Sequence, residues 1–185
     1  MPTTITEAAD LDRTPAQVLA ALGDEAFVLR RCTAEGSLSG QLLQHLVTSS
    51  AIEIITTARV PAEWLPSRVR AAVDSLPMVT RRESWDRRSG TGRTEFDFTG
   101  VPARAAATMS LDPRPAGCRV THILELAVYL PFVGALVEQD LGRRIGAALR
   151  TEFSLYAAVD AHSGAVGDGA DTRDIGPHDR AKPTP

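Results

Sequence analysis

The stretch PFVGALVEQDLGRRIGAALRTEFSLYAAVDA, residues 131–161, decides the fold of this chain. From Phe132 to Ala161 its apolar residues recur every three or four positions, the spacing of one helical face. They are Val133, Leu136, Val137, Leu141, Ile145, Ala148, Leu149, Phe153 and Tyr156. Pro131 precedes the pattern, where a missing N–H costs least, and Gly164 follows it as a stop signal. The sequence therefore predicts one long helix that comes after the other elements.

The residues before this helix are typical of strands joined by hairpins. We predict seven strands: Thr3–Leu11, Ser39–Thr48, Ala51–Val60, Met78–Asp86, Arg93–Phe98, Ala103–Asp112 and Cys118–Leu130. Thr14-Pro15 and Asp24 are start signals for two short helices after the first strand, and Pro61–Leu76 has helical spacing. The fold class is therefore α+β, a curved antiparallel seven-stranded sheet around one long C-terminal helix. We expect one domain over residues 1–163 and a disordered tail over 164–185.

Composition narrows the class of protein. The chain has 185 residues, 43% of them hydrophobic, and a net charge of −3 with no basic stripe, which argues against nucleic acid as a partner. Residues 1–12 lack the features of a signal peptide, and no apolar run approaches the ~20 residues of a membrane span. Cys32 and Cys118 have no CxxC context and are expected to be reduced thiols. We therefore expect a cytoplasmic protein; the oligomeric state stays open.

Charged residues suggest a register for the last strands. Hairpins that place Asp97 opposite Arg104, and Leu111 opposite Cys118, align one ionic row across the sheet: Arg81, Asp97, Arg104 and Glu125. In this register Glu83 lies diagonal to Arg93, which favours a surface ion pair. A slip by one residue would scatter the row over both faces.

The opposite face of these strands is then apolar and should face the helix. It carries Thr94, Phe96, Phe98, Ala103, Ala105, Ala107, Met109, His122, Leu124, Leu126 and Val128. Its alanines are small, and Gly134, Gly142 and Gly146 make the helix thin. Either the helix and the sheet approach closely and fill the space, or a cavity remains. We favour a cavity, since apolar pockets with a few polar groups are typical small-molecule sites.

The order of elements over residues 3–161 resembles the START-like superfamily, also called the helix-grip or polyketide-cyclase and lipid-transport group. Short patterns resemble its uncharacterised DUF2505 branch: residues 21–27, Leu65-Pro66 before Val69-Arg70, Glu83-Ser84-Trp85, and residues 130–134 with Glu138. The resemblance implies a hydrophobic small molecule or lipid bound between the sheet and the helix. It implies no known activity and supplies no catalytic residues.

Few residues are candidates for chemistry. The sequence has no phosphate-binding loop, no GxSxG and no metal-ligand spacing, so we predict no cofactor, no metal site and no assigned catalytic residue. His122 is either an acid/base or ligand-orienting group, or a buried histidine satisfied by a neighbour, and the second interpretation is favoured. We favour the same interpretation for His45. For Glu138 and Glu152 we favour solvated positions, with Asp140–Arg144 as an ordinary helical ion pair.

Three functions remain open. The first is non-enzymatic binding or carriage of a hydrophobic small molecule, lipid or polyketide-like compound. Its predicted site comprises Phe96, Phe98, Ala105, Ala107, Met109, His122 and Leu124 against Leu141 and Ile145, with Trp64 at the cavity mouth. The second is a cyclase, aromatase or hydrolase that uses His122 as acid/base. The third is a protein-interaction module with a filled core.

Overall fold

The computed structural model describes residues 2–34, 40–65, 70, 75–130 and 134–159. The strands are β1 (Thr3–Leu11), β2 (Gly40–Val47), β3 (Ala51–Arg59), β4 (Met78–Asp86), β5 (Thr91–Thr99), β6 (Ala103–Arg114) and β7 (Gly117–Val128). The helices whose bounds lie within these residues are α1 (Pro15–Leu22), α2 (Glu25–Thr33) and α3 (Gly134–Ala157), and Ala62–Trp64 forms a 3-10 turn. The strands form one antiparallel sheet in the order β1-β7-β6-β5-β4-β3-β2. The predicted α+β class, with its seven strands and long last helix, is confirmed.

The two short helices begin at the predicted caps. The Thr14 hydroxyl accepts from the Gln17 N–H at 3.3 Å, and the Gln17 side chain accepts from the Thr14 N–H at 2.9 Å. Asp24 accepts from the Ala26 N–H at 3.0 Å. These contacts satisfy N–H groups that the first turn of a helix leaves without partners.

Helix α3 lies against one side of the sheet, along β1 and β7. A Cβ added at Gly142 would lie 3.2 Å from Cδ1 of Ile5, and one at Gly146 would lie 2.6 Å from a Glu7 carboxylate oxygen. Glu138 accepts from the Val128 N–H and from the Thr3 hydroxyl, both at 2.8 Å. The helix glycines therefore permit close approach to β1, which leaves the space above β3, β4 and β5 less filled.

The inward side chains of neighbouring strands form transverse layers, which follow from the registers. Layer 1 is Ala58, Val79, Phe98, Ala103 and Val128. Layer 2 is Thr56, Arg81, Phe96, Ala105 and Leu126. Layer 3 is Ile54, Glu83, Thr94, Ala107 and Leu124. Layer 4 is Ile52, Trp85, Gly92, Met109 and His122. The apolar inward face predicted for β5, β6 and β7 is confirmed.

The predicted ionic row is wrong, although its central pair, Asp97 opposite Arg104, is confirmed. The predicted row, with Arg81 opposite Asp97, requires Trp85 to lie opposite Arg93, but Trp85 lies opposite Gly92. The reason is steric, because a Cβ at position 92 would lie 2.7 Å from Cδ2 of Trp85 and from Cε of Met109. This register places Arg81 opposite Phe96 on the inner face rather than opposite Asp97.

The β6–β7 hairpin is also tighter than expected. Residues 115 and 116 alone connect the two strands, so Leu111 lies opposite Val120 instead of Cys118. Arg104 consequently lies opposite Ala127, not Glu125. The shift is by two residues, which preserves the inward face because side chains alternate with period two.

Two clusters divide the interior along the strands. The filled end comprises layer 4, α1, α2 and the last turns of α3; its largest side chains are Trp85, Tyr156, Phe153, Phe27 and Met109. The cavity end comprises layers 1 and 2, part of layer 3 and the first turns of α3, with Val79, Ala105, Leu126, Val128 and Val137. Within the described ranges, no helix has the length and hydropathy needed to cross a membrane.

Some predictions fall outside the described residues. The helical insertion Pro61–Leu76 is described only in part, where Ala62–Trp64 forms a 3-10 turn. The predicted helix start at Pro131 and Phe132, and the predicted tail over 164–185, also lie outside. Both cysteines, Cys32 and Cys118, are buried and free.

Candidate functional site

A cavity lies between the inner face of the sheet and α3 at the cavity end. It offers about 140 Å³ to the centres of water-sized molecules, which is room for about ten waters or a small organic molecule. Its walls are mostly apolar. Seven of the ten residues predicted for the site line it, namely Phe96, Phe98, Ala105, Leu124, Leu141, Ile145 and Trp64.

The other three predicted residues lie deeper, outside the cavity lining. Ala107 is in layer 3, and Met109 and His122 are in layer 4. His122 is 2% exposed and packs the edge of its ring against Phe153, with ring centroids 5.1 Å apart. Its Nε2 has no hydrogen-bond partner among the described residues. The favoured interpretation is correct in that His122 is buried, but no described neighbour satisfies its Nε2.

One end of the cavity is polar. We call it the ionic floor and define it as Arg31, Arg81, Glu83 and Glu152. Arg31 binds Glu83 through two parallel contacts of 3.0 and 2.9 Å and binds Glu152 at 3.0 Å. Arg81 lies 2.8 Å from Glu83 and 2.9 Å from Glu152. Each guanidinium contacts both carboxylates, which gives a closed square of alternating charge.

Two further side chains donate hydrogen bonds to the carboxylates of the floor from the filled end. The Tyr156 hydroxyl donates to Glu152 at 2.8 Å, and the Trp85 indole N–H donates to Glu83 at 2.6 Å. Burying four charges carries a large desolvation cost, which close pairing and charge-assisted hydrogen bonds offset. The floor therefore holds a fixed geometry between the packed core and the cavity.

The floor keeps its charges over a wide pH range. Burial alone would raise the pKa of Glu83 and Glu152, but the two arginines outweigh it and hold both below the usual range. Burial alone would lower the pKa of Arg31 and Arg81, but the two carboxylates outweigh it and raise both. Burial, assisted by Glu152, raises the pKa of Tyr156. Burial lowers the pKa of His122 to about 4, so its ring is neutral near pH 7.

The sequence reasoning missed most of this floor. Glu83 was expected at the surface beside Arg93, but it is 3% exposed and faces inward opposite Thr94. The signal was present, because Arg81 and Glu83 alternate between the inward residues Val79 and Trp85. Arg31 likewise follows Phe27 by one helical turn on the buried side of α2.

The other polar candidates have structural partners. Glu138 and Glu152 are each 7% exposed, so the solvated positions favoured for them are wrong. His45 Nε2 lies 2.9 Å from the Leu22 carbonyl oxygen, as favoured for a satisfied histidine. Arg144 contacts Asp140 at 3.2 Å, which confirms the helical ion pair. In the described part of the chain, no group of three or more His, Cys, Asp and Glu side chains could hold a metal ion.

Solved structures with the same architecture share little sequence with this chain. An aromatase/cyclase, Zhui from Streptomyces sp. R1128, aligns with a TM-score of 0.60 at 8% identity, over 85% of this chain and 93% of its own. TTHA0849 from Thermus thermophilus aligns at 0.58 and 15% identity, over 84% and 98%. Dicamba monooxygenase, solved with 3,6-dichlorosalicylic acid bound, aligns at 0.56 and 8%, over 85% and 49%. These likenesses show a shared fold, the helix grip.

The family follows from the sequence. The model of a protein family of unknown function, DUF2505, matches residues 6–158, which cover nearly all described elements. The chain belongs to this family, as its resemblance to that branch predicted. A comparison with curated proteins finds no match.

Proposed function

We propose that this protein binds and carries a hydrophobic small molecule in the cavity between the sheet and α3, without transforming it. The observation that carries the proposal is the cavity itself: about 140 Å³ of space with mostly apolar walls and polar groups gathered at one end. A fully packed interior would leave no such space, because protein cores are close-packed. The solved helix-grip proteins support the proposal only through their fold.

The ionization of the floor argues against catalysis. A general acid or base works best with a pKa near the operating pH. The carboxylates of the floor have lowered pKa values, its guanidinium groups and Tyr156 have raised ones, and the lowered pKa of His122 leaves its ring neutral. His122 also lies outside the cavity lining. The cyclase-type alternative therefore lacks a proton-transfer group at the cavity wall among the described residues.

The experiment compares two alanines that are adjacent on β6. Ala105 lines the cavity, whereas Ala106 faces the opposite side of the sheet. The wild type and the two leucine variants, Ala105→Leu and Ala106→Leu, are titrated with naphthalene, which suits a space for about ten waters. Native mass spectrometry identifies any compound that co-purifies with the wild type.

We expect Ala105→Leu to weaken naphthalene binding at least about tenfold, since the added side chain occupies the same space. Ala106→Leu should bind as the wild type does. Equal binding by all three proteins, or no binding and no co-purified compound in the wild type, would overturn the proposal.

The free thiols of Cys32 and Cys118 support our inference that the protein works in the reducing cytoplasm.

A further inference from the structure

The polar end of the cavity holds hydrogen-bonding groups that no group in the described residues satisfies. Thr56 lines the cavity and lies directly opposite Arg81, on the neighbouring strand of the same layer. Its hydroxyl has no hydrogen-bond partner in the described ranges. Beside it, the buried Nε–H of Arg81 has no acceptor among the described residues. Two residues with unused donors are therefore paired on adjacent strands at the polar end of a mostly apolar cavity.

The charges around these donors are already balanced. The ionic floor contains two guanidinium groups and two carboxylates, and each guanidinium contacts both carboxylates. An incoming carboxylate or ammonium group would add an unpaired charge beside a closed, neutral square in apolar surroundings, and desolvating a charge without a partner is costly. A neutral oxygen loses much less hydration and gains the donors that are otherwise unsatisfied.

We propose that the ligand is a neutral apolar molecule of about ten non-hydrogen atoms with one hydroxyl or carbonyl oxygen, which binds at Thr56 and Arg81. This inference rests on the proposed function and adds the chemistry of its ligand. The apolar body packs against Phe96 and Phe98, whose rings stack with centroids 6.5 Å apart along the cavity wall. The oxygen points toward the floor and leaves the four ion pairs intact.

The test uses four probes of matched shape: naphthalene, naphthylmethanol, naphthoate and naphthylmethylammonium. Each is titrated calorimetrically into the full chain at neutral pH. We expect naphthylmethanol to bind about tenfold more tightly than naphthalene, the gain typical of one satisfied hydrogen bond. Naphthoate and naphthylmethylammonium should both bind at least about tenfold more weakly than naphthylmethanol.

The variant Thr56→Val removes the hydroxyl with little change in side-chain shape. It should abolish most of the preference for naphthylmethanol over naphthalene. The matched control is Thr108→Val, since Thr108 is an exposed threonine on the outer face of β6; it should bind all four probes as the wild type does.

The outcomes separate this inference from the proposed function. Naphthalene and naphthylmethanol binding equally well, or naphthoate binding most tightly, would overturn the neutral-oxygen assignment while the cavity remains a binding site. If Thr56→Val keeps the preference for naphthylmethanol, the assignment of the ligand oxygen to Thr56 is wrong. No binding of any probe would overturn the proposed function, and this inference with it.

Discussion

The filled end and the cavity end of the interior lie on the same strands, yet they differ in how completely side chains fill the space between the sheet and the helices. At the filled end, layer 4 carries Trp85 and Met109, and the Phe27 and Tyr156 rings stack with centroids 5.7 Å apart. At the cavity end, layers 1 and 2 carry Ala103 and Ala105 on β6, and α3 lies toward β1. Inward side-chain volume decreases toward the cavity along β6, from Met109 to Ala103, whereas β5 shows the opposite trend and ends in Phe98.

The ionic floor separates these two ends. Glu83 and Glu152 receive hydrogen bonds from Trp85 and Tyr156 at the filled end, while Arg31, Arg81 and Glu152 border the cavity. Rearranging the ion pairs of the ionic floor is costly, because their buried charges would lose partners. The floor therefore resists movement of side chains from the filled end into the cavity. The comparison indicates that the cavity persists because charged side chains limit collapse of the core.

The largest expected effect comes from breaking the floor. The variant Arg31→Met leaves two buried carboxylates with one guanidinium, and we expect the free energy of unfolding to fall by about 3–5 kcal/mol. Urea denaturation followed by circular dichroism measures the loss. The control is Arg30→Met, an exposed neighbour on α2 whose guanidinium lies over the Phe27 ring at 5.6 Å; it should lose no more than about 1 kcal/mol. Similar losses in both variants would contradict a stabilising role for the floor.

A smaller effect should appear as pH dependence at the filled end. His122 has a folded pKa of about 4, lowered mainly by burial, against about 6.5 when unfolded. The unfolded chain then binds the extra proton first, so stability should fall as pH decreases from about 6.5 to 4, by about 3 kcal/mol in total. The variant His122→Leu should lose this part of the slope. Parallel stability curves for the variant and the wild type between these pH values would show that the histidine is not buried in neutral form.

The smallest expected effect compares the same substitution at an alanine that lines the cavity and at one just outside its lining. Ala107 and Ala105 are two residues apart on β6, and both face inward, but only Ala105 lines the cavity. We expect Ala107→Leu to cost about 1–3 kcal/mol through overpacking, and Ala105→Leu to change stability by less than about 1 kcal/mol. Thermal and urea unfolding of the two variants measure the difference. Equal destabilisation would mean that the cavity end is as tightly packed as its neighbour.

Local signals predicted the elements well. The bounds of β1 and β4 agree with the sequence pattern, and the caps Thr14 and Asp24 form the expected hydrogen bonds. Alternation predicted the inward face of β6 correctly, even though the β6–β7 register differed by two residues. The β4–β5 register could not be predicted in the same way, since it depends on the Trp85 ring lying over Gly92, a contact between strands.

The candidate site also has one part that local sequence signals predict and one part that depends on contacts between strands. Its apolar wall could be found from the sequence, because Phe96, Phe98 and Ala105 share one face by simple alternation. The ionic floor could not be predicted from alternation alone. Charge patterning paired Arg81 with Asp97 on the outer surface, whereas the one-residue difference in register turns Arg81 and Glu83 inward. A strand register decides which side of a sheet is charged.

The sequence by itself determined the order of the elements, the long last helix and the small residues that leave room beneath it. These follow from periodicity and from side-chain size, which are local properties. Only the tertiary structure decided where the charges meet. Arg31 contacts Glu83 and Glu152, which lie 52 and 121 positions away in the sequence. Such contacts depend on the combined placement of α2, β4 and α3, and burial is what makes their pairing obligatory.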